Sequence, residues 1–311
     1  MRFIFIFFIL ISAYSQNSSI AKESLSCSNV RLQVLGAGGP EIDDGLASSS
    51  FLIWVDGKAR VMIDAGGGSS FNFEKSGANF NHLQAILLTH LHVDHSAALP
   101  VYIKAGYFTG REQELPIFGP AAGGEFPSTE NFVAAYFSDQ QKSVYPYLSD
   151  NFRQQQSTDF LTIGQSVQPN NKIWKRQLNK VISIESVNVN HGSIPAVAWR
   201  VNVNQCSLTF SGDMNGSSGN LPILANNTDL LIANNAVPQN ANPVAKRLHM
   251  EPDMIGRIAD EANAKGLVLA HFMLRSIDRK KETQAIIKQR FSGPIMLAQE
   301  LTFIPAYEQE Y

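Results

Sequence analysis

Short apolar runs bounded by glycine, asparagine and aspartate recur along the chain from Val30 onwards. Runs of this kind, alternating with helical patterns, are typical of a mixed α/β domain built in layers. We therefore predict strands at residues 30–35, 49–55, 60–64, 85–89, 115–118, 181–189, 196–203, 207–211, 230–233, 266–270 and 295–303.

The clearest helical pattern covers residues 252–264, where Pro252 suits the first turn and Gly266 follows the end. Its apolar positions recur at helical spacing: Met254, Ile255, Ile258, Ala259 and Ala262. A second helix is predicted at 279–291. Periodicity is weaker from about 131 to 180, and we interpret this Gln- and Asn-rich segment as an insertion with some helix of its own.

The first fifteen residues have the order of a secretory signal: Arg2, an apolar run at 3–11, and small residues up to Ser15. We predict a signal peptide at 1–15, an N-terminal extension at 16–28 and one catalytic domain at 29–311. A buried first strand or a retained anchor is the alternative, but the apolar run is shorter than the roughly 20 residues of a spanning helix. We therefore expect a secreted or periplasmic protein with no stable membrane anchor.

The amino-acid composition and the net charge limit the kinds of molecule that the protein is expected to bind. The chain is 44% hydrophobic, only 17% charged, and carries a net charge of −2, which becomes −3 if Arg2 is lost with the leader. This balance argues against a protein that coats nucleic acid. In an oxidising compartment Cys27 and Cys206 could form one disulfide, but two isolated thiols are equally compatible with the sequence.

One short segment concentrates side chains that bind metals. His90, His92, Asp94 and His95 fall within six residues directly after an apolar strand. In an extended segment residues two apart point to the same side, so His90 and His92 can hold one ion while the other two face a neighbouring position. The mixed imidazole and carboxylate set suits zinc, with manganese or iron as alternatives. The alternative interpretation is a solvated His-rich loop that binds no metal.

Four ligands cannot complete two metal shells, so further ligands are expected at other strand ends. His191, Asp213 and His271 each follow an apolar strand. The carboxyl ends of strands are the edge at which loops converge on one site. Each residue alone would more often be an ordinary polar group, but together they complete the set.

This set resembles the hallmark of the metallo-β-lactamase superfamily, His-x-His-x-Asp-His followed downstream by His, Asp and His. The resemblance covers nearly all of the chain after the leader. It is closest to the branch that contains ribonuclease Z, metal-dependent arylsulfatases and cyclic-nucleotide phosphodiesterases, through the turn at 35–40, the hairpin at 48–66 and the segment 248–252. The fold that it implies is an αβ/βα sandwich, with two central mixed β-sheets flanked by helices.

Matched position by position, the resemblance implies two zinc ions per chain. One is held by His90, His92 and His191, the other by Asp94, His95 and His271, with Asp213 bridging both. A hydroxide between the ions would attack the substrate. Asp94 would orient that hydroxide, and His249 would act as the general acid that protonates the leaving group. His82 matches no motif and is expected at the surface.

Two features depart from the ribonuclease Z pattern. Asn234 and Asn235 stand where relatives often carry His-Glu, so a contact behind the ligands is expected to differ. The long basic clamp is not apparent, and the nearest equivalent is the Lys- and Arg-rich segment 172–180, which suits an exposed strand or helix face as well as RNA contact.

We therefore expect a small-molecule substrate, a phosphodiester, sulfate ester or related ester, and no nucleic-acid partner. The sequence leaves open whether the chain forms a homodimer. The alternatives are a lactonase or β-lactamase, a ribonuclease Z-like phosphodiesterase on RNA, an iron-dependent oxidoreductase, and a binding protein that has lost its chemistry. The complete ligand set argues against the last.

Overall fold

The computed structural model describes residues 27–138, 142–151, 160–169 and 172–306. The predicted signal peptide at 1–15 and all but the last two residues of the extension at 16–28 lie outside this part of the chain. Among the described residues, no helix has both the length and the apolar character that crossing a membrane requires.

The strands, in chain order, are β1 (Val30–Gly36), β2 (Ser50–Val55), β3 (Lys58–Ile63), β4 (Ala85–Leu87), β5 (Leu115–Pro120), β6 (Thr162–Val167), β7 (Trp174–Gln177), β8 (Ile182–His191), β9 (Ile194–Val203), β10 (Cys206–Phe210), β11 (Leu230–Asn234), β12 (Leu267–Ala270), β13 (Ile295–Leu297) and β14 (Phe303–Pro305). The α-helices are α1 (Ser69–Lys75), α2 (Val93–Ser96), α3 (Leu99–Phe108), α4 (Thr129–Phe137), α5 (Asn220–Leu224), α6 (Pro243–Leu248), α7 (Pro252–Glu261), α8 (Leu274–Ile277) and α9 (Lys280–Ile287). Two 3-10 turns lie at Phe80–His82 and Pro146–Asn151.

The strands form two mixed sheets, and each sheet is antiparallel on one side and parallel on the other. The first has the order β14-β1-β2-β3-β4-β5-β6, and the second has the order β13-β12-β11-β10-β9-β8-β7. In both sheets the parallel pairing begins where an antiparallel meander ends, at β3 beside β4 and at β10 beside β11. The carboxyl ends of the parallel strands therefore meet at one edge of each sheet.

The main core lies between the two sheets. Phe51 of the first sheet and Phe210 of the second have ring centroids 5.7 Å apart, and Phe118 packs against Trp199 at 6.4 Å. A second buried cluster fills the space between the outer face of the first sheet and helix α3, and it includes Tyr102 and Ile103. This arrangement confirms the predicted sandwich, because each sheet buries apolar side chains against a neighbouring layer.

The disulfide that the sequence left open is formed. Cys27 and Cys206 are bonded, with their Cα atoms 5.1 Å apart. The bond ties the chain just before β1 to the first residue of β10, so it links the two sheets covalently.

One predicted strand is wrong. The segment 295–303 is divided into β13, which pairs with β12 in the second sheet, and β14, which pairs with β1 in the first. Leu301 adopts a left-handed backbone conformation (φ 62°) in the turn between them. The polar residues Gln299 and Glu300 interrupt the apolar run at this crossing, and Glu300 accepts a hydrogen bond from the backbone N–H of Ala47 at 2.6 Å. The other predicted strands are present, with ends within two residues of the predicted ones.

The described parts of the segment 131–180, interpreted from the sequence as an insertion, belong to both sheets. They contain most of α4 and supply β6 and β7, the outermost strands of the first and the second sheet. Both strands escape prediction because an outer strand needs little apolar pattern, and β7 is mostly exposed. The two clearest predicted helices are present as α7 and α9, each shorter than the pattern suggested.

Candidate metal centre

The His-rich segment follows the carboxyl end of β4, an inner strand of the first sheet. Thr89 and His90 continue the chain beyond the strand, His92 is the N-cap of α2, and Asp94 and His95 lie in the first turn of that helix. The change from extended chain to helix directs the first two histidines to one side and the next two ligand candidates to the other. All of these side chains except that of His92 are buried.

The structure brings all seven predicted ligands together. One group contains His90, His92 and His191, and a second contains Asp94, His95, Asp213 and His271, with the candidate ligand atoms of each group within 4.8 Å of one another. His191 is the last residue of β8, while Asp213 and His271 follow β10 and β12. Each of these three residues therefore lies at or just after the end of a strand, as the sequence predicted.

Asp213 lies between the two groups. Its Oδ2 atom is 3.7 Å from Nε2 of His191 and 4.0 Å from Nε2 of His90 in the first group. The same oxygen is 3.7 Å from Nε2 of His95 in the second group. This central position is the one that a bridging carboxylate would need.

Several buried nitrogen atoms at the centre lack a hydrogen-bond partner in the described part of the chain. They are Nε2 of His90 and of His191, together with Nδ1 of His249 and of His271. A buried polar atom without a partner costs free energy, about 1–3 kcal/mol each. A cation bound among these imidazoles would satisfy the two Nε2 atoms, so the donor set fits divalent metal ions, and zinc best by its mixture of nitrogen and carboxylate oxygen.

The two carboxylates are held as anions. Burial alone would raise the pKa of Asp94, but the imidazole of His95 and a hydrogen bond from His271 outweigh it and lower that pKa far below its ordinary value. The pKa of Asp213 is also lowered well below its ordinary value, because His271 and His95 outweigh burial there too. Both side chains are therefore available as negatively charged ligands at neutral pH.

The histidines separate into two kinds. Burial lowers the pKa of His90 and of His92, so these rings are neutral and ready to bind a cation. Burial also opposes protonation of His95, but the carboxylates of Asp64 and Asp94 outweigh it and raise its pKa well above the ordinary value. A metal ion that binds His95 would therefore have to displace a proton from its ring.

Asp64 is a site residue that the sequence analysis missed. Its Oδ2 accepts a hydrogen bond from Nδ1 of His95 at 2.7 Å, and its Oδ1 accepts one from the backbone N–H of Thr89, also at 2.7 Å. The position directly after β3 was visible in the sequence, but only contact with His95 reveals its role. On the other side of the centre, Nδ1 of His191 donates to the carbonyl oxygen of Leu248 at 2.8 Å. Such partners fix the orientation of ligand rings.

His249 lies beside both groups. It follows helix α6 directly, is 9% exposed, and has its Nδ1 atom 3.8 Å from Oδ2 of Asp213. Burial lowers its pKa to about 4. His249, His191 and Asp213 also form a third group with ligand-like spacing, so the position suits either a hydrogen donor or a ligand. His82 lies away from the cluster, in the 3-10 turn Phe80–His82.

Two glycines allow the backbone to pack closely around the centre. A Cβ atom on Gly66 would lie 2.2 Å from the carbonyl oxygen of Asp94, and one on Gly39 would lie 2.9 Å from Cε1 of His271. Neither residue has a left-handed backbone. Both positions therefore require glycine because the backbone approaches neighbouring atoms closely.

A family comparison agrees with this geometry. The family described as "Beta-lactamase superfamily domain" matches residues 59–272, more than two thirds of the chain. The chain belongs to the beta-lactamase superfamily. This confirms the predicted resemblance, and the ligand candidates fall within the matched region.

Relatives within the superfamily include Ribonuclease Z of Picrophilus torridus, which is 26% identical over 278 residues, covering 81% of this chain and 88% of that protein. Two solved structures have a similar fold. The metallo-beta-lactamase fold protein YhfI of Bacillus subtilis has a TM-score of 0.68 at 21% identity and covers 88% of this chain and 98% of its own. The short form of human tRNase Z has a TM-score of 0.66 at 19% identity and covers 89% and 99%.

Proposed function

We propose that this superfamily member is an exported hydrolase with two zinc ions per chain that cleaves a small phosphodiester. The observation that carries the proposal is the position of Asp213, with one oxygen within 4.0 Å of both ligand groups. Zinc ions bound there would acidify a water molecule and polarise the ester oxygen.

The side chains around the centre divide the remaining work. Asp94, an anion whose Oδ2 faces the second ligand group, would accept a hydrogen bond from the attacking water and orient it. His249 would donate a hydrogen bond to the departing oxygen as the phosphorus–oxygen bond breaks, and solvent would supply the proton that this oxygen finally takes. With a pKa of about 4 the ring is mainly neutral at pH 7, and a neutral imidazole donates one N–H without giving up its proton.

Arg275 supplies a positive charge at the rim that the sequence analysis did not identify. Its Nε donates to the carbonyl oxygen of Ala236 at 2.9 Å, which anchors the guanidinium at the start of α8. The charge lies close enough to His249 to contribute to the lowering of that pKa. It is therefore placed to hold an anionic oxygen of the substrate beside the hydrogen donor.

A small substrate is favoured because the basic segment 172–180 is not free to form a long basic clamp. It contains the outer strand β7, where Lys175 is already paired with Glu185 at 3.0 Å.

RNA is the second candidate substrate, and one observation favours it: the curated relatives are named Ribonuclease Z. Their name runs against our expectation that nucleic acid is not a partner.

Export is supported by the signal-like order of residues 1–15 and by the Cys27–Cys206 disulfide, since disulfides persist mainly outside the cytosol.

The test is a panel of substrates with zinc-loaded protein: bis(4-nitrophenyl) phosphate, 4-nitrophenyl sulfate, cyclic AMP, an acyl-homoserine lactone, a cephalosporin and a precursor tRNA. The proposal expects a phosphodiester to be cleaved fastest, with the His92→Ala variant as the control for contaminating activity. Faster cleavage of the precursor tRNA would replace the small substrate by RNA. Cleavage of only the lactone, the cephalosporin or the sulfate, or purification with iron and no hydrolysis, would overturn the proposal.

A further inference from the structure

Asn234 is the last residue of β11 and lies between the two strands that lead to ligands of the second group. β11 pairs with β10, which precedes Asp213, and with β12, which precedes His271. The backbone N–H of Asn234 donates to Oγ of Ser211 at 3.1 Å, which fixes the residue at the strand end. Its side chain is therefore held at the base of the metal centre.

The amide of Asn234 contacts the bridging candidate directly. Nδ2 donates to Oδ1 of Asp213 at 2.8 Å, and both side chains are buried, with 5% and 3% exposure. The other oxygen of Asp213, Oδ2, is the atom that lies 3.7 Å from both His191 and His95. Oδ1 is thus engaged by the amide and also lies 3.4 Å from Nε2 of His271, while Oδ2 is the oxygen that lies near ligand candidates of both groups.

We infer that Asn234 is a positioning residue that orients Asp213 and reserves its Oδ2 for both metal groups. This inference rests on the proposed metal centre. The amide suits this position because its NH₂ group donates hydrogen bonds and carries no charge. A carboxylate here would repel Asp213, and an imidazole would add a further nitrogen ligand.

The next residue provides a matched control. Asn235 is buried too, but its Nδ2 donates to the carbonyl oxygen of Val237 at 3.2 Å instead of to Asp213. Removing the Asn235 amide therefore disturbs packing close to the centre without removing the hydrogen bond to the bridging carboxylate. The two residues separate positioning from local stability.

The experiment compares Asn234→Ala, Asn234→Asp and Asn235→Ala by zinc affinity in chelator competition, by the absorption spectrum of the cobalt-substituted protein, and by thermal unfolding without metal. Asn234→Asp keeps the shape of the side chain and replaces the donor with a charge, so it stays informative if Asn234→Ala does not fold. We expect zinc to bind about 10–100-fold more weakly to both Asn234 variants, with a changed cobalt spectrum. Asn235→Ala should lower the unfolding temperature and leave affinity within about twofold of the wild type.

Wild-type zinc affinity and an unchanged cobalt spectrum in Asn234→Asp would overturn the inference. Loss of affinity in Asn235→Ala equal to that in Asn234→Ala would also overturn it, because the effect would then be general. A wild-type protein that binds no zinc would contradict the proposed function itself. The two failures are therefore distinguishable.

Discussion

Nδ1 of His95 and Oδ2 of Asp64 are 2.7 Å apart at a fully buried site. The contact gives the Nδ1 position of His95 a partner, so its Nε2 faces the centre, 3.5 Å from Oδ2 of Asp94. The same Asp64 carboxylate accepts hydrogen bonds from the backbone and hydroxyl of Thr89, the residue before the first ligand. The end of β3 thus organises the ligands that follow β4.

This pairing predicts that zinc binding releases protons. The pKa values of His95 and His271 are raised because nearby carboxylates outweigh burial, so each ring holds its proton more strongly than a free imidazole in the metal-free protein. A metal ligand must be deprotonated, so zinc affinity should rise with pH and between about one and two protons should leave per chain. Calorimetric titration in buffers of different ionisation enthalpy measures this number.

Asp64→Asn provides the control for that titration. Without the carboxylate the pKa of His95 falls, so fewer protons should be released at the same pH. Zinc binding without proton release in the wild type, or identical release in Asp64→Asn, would contradict the role given to this pair.

His92 and His82 separate the metal centre from histidine content in general. His92→Ala removes a member of the first ligand group and should abolish measurable turnover. His82→Ala removes a side chain in the 3-10 turn away from the centre and should leave kcat and KM unchanged. Activity assays with metal analysis of both variants decide the matter, and full activity in His92→Ala would disprove the site.

His249 is predicted to donate a hydrogen bond to the leaving group rather than to bind metal. His249→Ala should reduce kcat about a hundredfold, the usual cost of removing a hydrogen-bond donor aimed at developing charge, while two zinc ions stay bound. Steady-state kinetics and metal analysis on one preparation provide both readouts. A loss of less than about threefold would rule out the donor role, and a fall to one zinc per chain would identify His249 as a ligand.

Gly66 and Gly67 test the close packing behind the motif. A methyl group on Gly66 would lie 2.2 Å from the Asp94 carbonyl oxygen, whereas on Gly67 its nearest neighbour is 3.7 Å away. Gly66→Ala should therefore lower the free energy of unfolding by about 1–3 kcal/mol or more and weaken zinc binding. Gly67→Ala should change stability by less than about 0.5 kcal/mol. Thermal unfolding of the metal-free proteins checks both predictions. Equal stability of the two variants would show that the structure accommodates a methyl group at position 66.

The clustering of the ligand candidates could be predicted because its information is local. His90 to His95 form one spacing pattern, and His191, Asp213 and His271 each stand next to an apolar strand that the sequence shows. The fold then brings these strand ends together, as two sheets packed face to face require. Asp64 and Asn234 could not be given roles in this way, because their contacts join strands that are distant in sequence.

The fold was less predictable at the margins of the sheets. β6 and β7 have few apolar positions, since an outer strand pairs on one side only. The division of 295–303 between two sheets depends on the turn at Leu301 and on the contact of Glu300 with Ala47, both of which are tertiary. Apolar pattern alone cannot show to which sheet a short run belongs.

The central claim is that Asp213 joins two metal groups into one hydrolytic centre. It is tested most directly by measuring bis(4-nitrophenyl) phosphate hydrolysis while zinc is added to the metal-free protein in known equivalents. The account predicts a rate that rises with zinc and becomes constant at two equivalents per chain. Full activity without metal, a plateau at one equivalent, or no hydrolysis at any zinc concentration would contradict it.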